Sequence, residues 1–181
     1  IVILLTMKTM NRFILTLCFC TSIYAFSFSQ VVSNIPVDSA QIKEYERRTK
    51  LTRIDGKYIP KDLNDALMEL DKIMEEGAKK KFQAYTEEDA RTKTHFSFGK
   101  YINARWSIQE GSRLTAWFQK CKIYNFDDMI DCVITAYHRK LNDKPIQFEE
   151  LANYYYKKQM AVTEKLKKEK ELRDSKKRKK K

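Results

Sequence analysis

Glycine and proline are scarce in this 181-residue chain, at four and three residues. That scarcity disfavours a turn-rich β-sandwich or barrel and, beside abundant Lys, Glu, Leu, Ala and Tyr, favours helices. Histidine is nearly absent, with His95 and His138 the only two. No Cys or His stands at zinc-ligand spacing, so no metal is expected. A Gly-rich phosphate loop and a nucleophile elbow are both missing, which leaves no cofactor signature and weak ground for an enzyme. Long apolar runs are lacking beyond the first 29 residues.

What is present in excess is positive charge, +12 overall, and it is unevenly placed. Lys157 to Lys181 holds 13 Lys and Arg against 4 Asp and Glu, whereas Lys57 to Glu150 holds 16 of each sign. The polycation is therefore a tail on a neutral domain. At this length one domain with tails is expected.

The chain begins like an address. Met7 and Met10 are plausible starts, Lys8 and Arg12 form a basic region, and Phe13 to Phe26 is an apolar stretch followed by small residues that a signal peptidase reads. Residues 1–29 are read as a signal peptide, cleaved after Ser29, and the protein as exported, periplasmic or secreted. The apolar stretch is shorter than the roughly 18 to 20 residues of a spanning helix, so no stable transmembrane span is expected after cleavage. Residues 30–56 lack sustained apolar spacing and read as a linker, with a polar helix over Gln41 to Lys50 as an option.

From residue 57 to 156 the spacing predicts a compact all-α bundle of about five helices. The first carries Leu63, Ala66, Leu67, Leu70, Ile73 and Met74 and ends at Gly77. The second starts at the Thr86 cap and lines His95, Phe98, Ile102 and Trp106 on one face. A third begins near Ser112 with Leu114, Trp117, Phe118 and Cys121. The fourth, capped by Asp127 or Asp128, presents Ile130, Val133, Ile134, Tyr137 and Leu141. The fifth starts near Gln147 and shows Phe148, Leu151, Ala152 and Tyr155. Residues 157–181 are a lysine-rich tail, its first half continuing that helix and its end expected to be disordered.

The strings Tyr58-Ile59-Pro60-Lys61-Asp62-Leu63, His95-Phe96-Ser97-Phe98-Gly99, Gly111-Ser112-Arg113-Leu114 and Asp127-Asp128-Met129 occur in order, with Tyr137-His138-Arg139-Lys140-Leu141-Asn142 after them. In these motifs the chain resembles a bacterial domain-of-unknown-function family, number 6794, over roughly Lys57 to Glu150. It departs at Trp106 to Gly111, where a Trp- and Gly-rich step is usual, and at Asn125-Phe126, where His-Pro is. The resemblance implies no activity.

Several residues are candidates for binding. Arg113 directly after Ser112, at a helix start, suits an anion held with free backbone amides, or an ion pair with Asp127, Asp128 or Glu110 that fixes neighbouring helices. Trp106 and Trp117 are candidate contact residues beside it. His95 falls on an apolar face, which favours a satisfied core histidine over a base, and His138 near a helix end is expected at the surface. Asp127 and Asp128 are first of all helix caps or structural partners. Cys121 and Cys132 are either two reduced core thiols or a disulfide closing about 12 residues, for roughly 2 to 3 kcal/mol.

Three functions fit. The first and favoured is a non-catalytic interaction domain that binds a protein or an acidic envelope component through a Trp- and Arg-containing face. The second is a polyanion-binding protein acting through its tail, the only route by which nucleic acid enters. The third is an enzyme on an anionic substrate, with Arg113 as binding group and His95 or Asp128 as acid or base.

Overall fold

A computed structural model describes residues 39–178. The expected signal peptide, with Cys18 and Cys20, and Lys179 to Lys181 lie outside the described residues. The described chain is all-α with one two-stranded hairpin. In order it runs α1 (Ser39–Arg48), β1 (Arg53–Ile54), β2 (Lys57–Tyr58), α2 (Leu63–Ile73), α3 (Glu76–Gln83) and α4 (Glu87–Thr94). A π-helical turn (His95–Gly99) then leads into α5 (Lys100–Trp106), followed by α6 (Arg113–Lys120), α7 (Phe126–Leu141) and α8 (Phe148–Arg178). With α4, the π turn and α5 taken as one rod, seven helices stand among the described residues where five were expected.

The hub is α7. Residues Asp128 to His138 are all buried, so this helix is enclosed on every side. It contacts α2, α3, α4, the π turn, α6 and α8. Enclosure explains its near-continuous run Met129, Ile130, Cys132, Val133, Ile134, Ala136 and Tyr137, which a one-sided helix would not need. Asn125 caps α7, its side chain accepting the Asp128 N–H. Asp127 and Asp128 are therefore not the caps; they sit in the first turn, where negative charge complements the helix dipole.

Two further expectations give way. Gly77 does not end a helix but lies inside α3, whose sequence EGAKKKFQ buries only Phe82 and so carries almost no apolar period. The end of the tail, expected without structure, is helical to Arg178. Within the stretch expected as linker, α1 places the Tyr45 hydroxyl on Gln119 Oε1 at 2.9 Å, and Arg48 Nε donates to the Gly111 carbonyl at 3.2 Å. Ile54 of the hairpin joins the core, and Asp55-Gly56 turns the hairpin with both residues at positive φ.

The cap at Asp62 starts α2, and Thr86 and Ser112 cap α4 and α6, each accepting a backbone N–H three residues on. Gly99 is the close-approach glycine of the rod. A Cβ there would lie 2.8 Å from Ile130 Cγ2, so the π turn presses on a side chain of α7.

Candidate functional site

Arg113 projects from the first turn of α6 toward the hairpin end of the fold. Its Nε donates to the Ile59 carbonyl at 2.7 Å, its Nη2 lies 4.0 Å from Asp65 Oδ2, and its guanidinium covers the Tyr58 ring at 5.1 Å. The Tyr58 hydroxyl and the Lys61 N–H both donate to the same Asp65 oxygen, at 2.6 and 2.9 Å. Burial pushes the Asp65 carboxyl up, but these two hydrogen bonds and the Arg113 charge outweigh it and hold it below its ordinary range. Arg113 is thus committed to Asp65, not to Asp127, Asp128 or Glu110, and clamps the Tyr58–Asp65 segment onto α6.

Ser112 is fully buried, its hydroxyl taken by the Thr115 N–H and facing the Thr115 hydroxyl, which donates on to the Ile108 carbonyl at 2.9 Å. An anion cradle at this helix start is therefore filled by the protein itself. Trp106 is fully buried. Trp117 is half-buried between Phe118 and Phe148, with ring centroids 5.0 and 4.9 Å away, and holds the start of α8 to α6. Trp106, expected on a Trp- and Arg-containing face, belongs to the core, while Arg113 and Trp117, one turn apart on α6, are engaged by the Tyr58–Asp65 segment and by Phe148.

His95 sits in the π turn, where the wider backbone turn carries its ring over α7. Nδ1 lies 2.7 Å from Asp131 Oδ1, and Nε2 lies 3.7 Å from Asp127 Oδ1. Arg91, one turn earlier, brings Nη1 to 3.6 Å from the other Asp131 oxygen. Asp131 is nearly buried and Asp127 is exposed, so the ring is anchored from within and open outward. π turns recur at functional sites because they re-aim one side chain. A histidine oriented by a carboxylate can relay a proton. Among the described residues its polar neighbours are Asp131 and Asp127. Arg113 shares none of its contacts, and among the described residues no three His, Cys, Asp or Glu side chains are placed to hold a metal ion.

Asp128 is sealed at the foot of α7, 2.6 Å from Lys158 Nζ of α8. Burial pushes its carboxyl up, and Lys158 only partly offsets this. His138 lies in the core, not at the surface, its Nε2 2.9 Å from the Tyr85 carbonyl. Cys121 and Cys132 are free thiols. Cys132 is enclosed in α7, while Cys121 ends α6 half-exposed, so the two occupy different environments. Asp131 was missed by sequence reasoning. Its signal was a carboxylate among the buried positions of α7, four residues after Asp127, which in an apolar environment demands a partner.

The far half of α8 faces solvent along its whole length. The buried residues of the helix are Leu151 and Tyr155, and from Met160 to Arg178 every residue is exposed. Lys157 to Arg178 forms an arm of about 33 Å at the α-helical rise per residue. Ten of its residues are Lys or Arg and four are Glu or Asp. On a helical wheel the cations surround the axis, so charge is offered in every direction. Among the described residues, no helix is long and apolar enough to cross a membrane.

Residues 59–141 match the family model described as Domain of unknown function (DUF6794). The matched segment runs from the end of the hairpin to the end of α7, leaving α1, the strands and all of α8 outside it. No curated protein and no solved structure matches the chain.

Proposed function

Given that residues 59–141 are a DUF6794 domain, we propose that the chain is an exported, non-catalytic binding protein. In this reading the domain is a scaffold, and the basic arm of α8 engages acidic polymers or surfaces of the cell envelope. One observation carries this: a helix that leaves the domain after Tyr155 and continues, wholly exposed and cation-rich, from Met160 to Arg178. An apolar helix in that position would have to find a packing partner, but a helix with cations all round is satisfied by counterions or by a polyanion that displaces them. Export rests on the basic and apolar signal-like stretch of the first 29 residues, and an envelope polyanion is the class such a protein meets.

Heparin affinity is the test. The full chain should bind heparin and duplex DNA with an affinity that falls steeply as salt rises, since each displaced counterion adds about 0.9 to the log–log slope for DNA. A chain ending at Gln159 keeps Tyr155 and the Lys158–Asp128 pair and should lose the binding. Equal retention by both proteins would refute the arm as the binding element.

A further inference from the structure

The hairpin, the outer side of α2 and the end of α5 border an open polar cleft of about 550 Å³, lined by Arg53, Lys57, Tyr58, Glu69, Lys72 and Arg105. That volume is in the range of small-molecule sites, about 300–1,000 Å³. Four cations face one carboxylate, and their protein contacts are loose. Glu69 lies 3.5 Å from Arg105 Nη2 and 3.8 Å from Lys72 Nζ. Lys57 Nζ reaches only the Ala104 carbonyl, at 3.4 Å. Arg53 bonds the Gly56 carbonyl through one nitrogen at 2.9 Å. Arg105 Nε is buried with no hydrogen-bond partner among the described residues.

Arg105 Nε is shut off from the cleft, so what the cleft lacks is set by its outward groups, a surplus of three positive charges around one carboxylate. An oxyanion that accepts from the Arg105 Nη groups and is neutralised by Lys57, Lys72 and Arg53 offsets that surplus. Guanidinium groups favour the flat, paired acceptors of phosphate over a single point charge. The cleft is far larger than a bare phosphate, and Glu69 offers an acceptor to a hydroxyl beside it.

We propose that this cleft binds a small phosphate ester carrying hydroxyl groups, with its phosphate on Arg105, Lys57 and Lys72. The site uses none of the arm and stands apart from polyanion binding by α8.

The test is calorimetric titration of the full chain with inorganic phosphate and, separately, with glucose 6-phosphate. Both should bind at one site, the ester at least as tightly. Lys57→Gln and Lys72→Gln alter exposed side chains with no core contact, and each should weaken binding by about tenfold, the worth of roughly one charge-assisted contact. Arg105→Gln should abolish it. A full chain with Lys176→Gln, Lys177→Gln and Arg178→Gln should bind both probes unchanged. Phosphate binding without ester binding would overturn the ester and reduce the site to a bare oxyanion pocket. Absence of saturation with either probe by about 10 mM, weaker than any physiological small-molecule site of this kind, would overturn the site itself. Loss in the arm variant with retention in the Lys57 and Lys72 variants would do the same.

Discussion

At the scale of single residues, the short motifs singled out in the sequence are mostly packing devices. Gly111 holds φ at +87°, and a Cβ there would lie 2.3 Å from the Tyr45 ring. Gly111→Ala should therefore lift α1 off the domain and add a left-handed backbone cost of about 1–2 kcal/mol. Because the clash is with the far end of one side chain, Tyr45→Ala should relieve part of the loss. Urea midpoints of the two single variants and the double variant measure this, and strict additivity would count against the contact. The thiols divide in a similar way. Burial pushes both thiols up, Cys132 far more than Cys121. Iodoacetamide on the native protein should modify Cys121 slowly and Cys132 only after unfolding. A pair protected even in denaturant would mean that a disulfide forms.

Among the elements, the tie between α4 and α7 is the most specific ion pair. Arg139 Nη2 and Nε donate to the two Glu87 oxygens at 2.7 and 2.8 Å, while Arg139 Nη1 takes the Ile146 carbonyl at 2.8 Å. The Arg139 hydrogen bonds hold Glu87 below its ordinary pKa of 4.5 against the pull of partial burial. A depressed carboxyl stabilises the fold above its unfolded pKa, and that contribution is lost as pH falls through the folded value. Asp65 acts in the same direction; Asp128, raised by burial, acts in the opposite one. Glu87→Gln should cost about 0.5–1 kcal/mol at pH 7, since the pair is part-exposed, and the gap to wild type should close below pH 4.5. Elements with a strong apolar stripe or a clear cap were legible in sequence, as in the stripe of α2, the Thr86 cap and the start near Ser112, but the Asp62 cap was not. Helix α3 was not, because one phenylalanine carries its whole buried face. Nor was the partner of Arg113: Asp65 is 48 positions away, and only the fold brings it closer than Asp127. His95, expected as a core histidine on an apolar face, instead lies half-exposed between Asp131 and Asp127, because the π turn that aims it there has no sequence signal of its own.

For the whole molecule, stability and exposure separate along α8. The domain is organised on α7, whereas the arm past Gln159 buries nothing and is held by local pairs such as Glu164–Lys168 at 2.7 Å. Amide hydrogen exchange should find the slowest protons in α7 and fast exchange from Met160 onward. Equal protection along α8 would require a packing partner for the arm. The π turn divides the molecule in another respect, its tolerance to changes of length. Removing one residue between Phe96 and Phe98 would let the rod close as an unbroken α-helix with both sides nearly in phase, because a π turn holds one residue more than the α turn it replaces; removing one from a regular part of the rod would rotate one side by about 100° relative to the other. The first change should cost only the aim of His95 at Asp131, whereas the second should also part Glu87 from Arg139. Outside the π turn the rod from Glu87 to Trp106 therefore cannot gain or lose a single residue, while the arm can change by any number; among related chains, insertions and deletions should collect beyond Gln159.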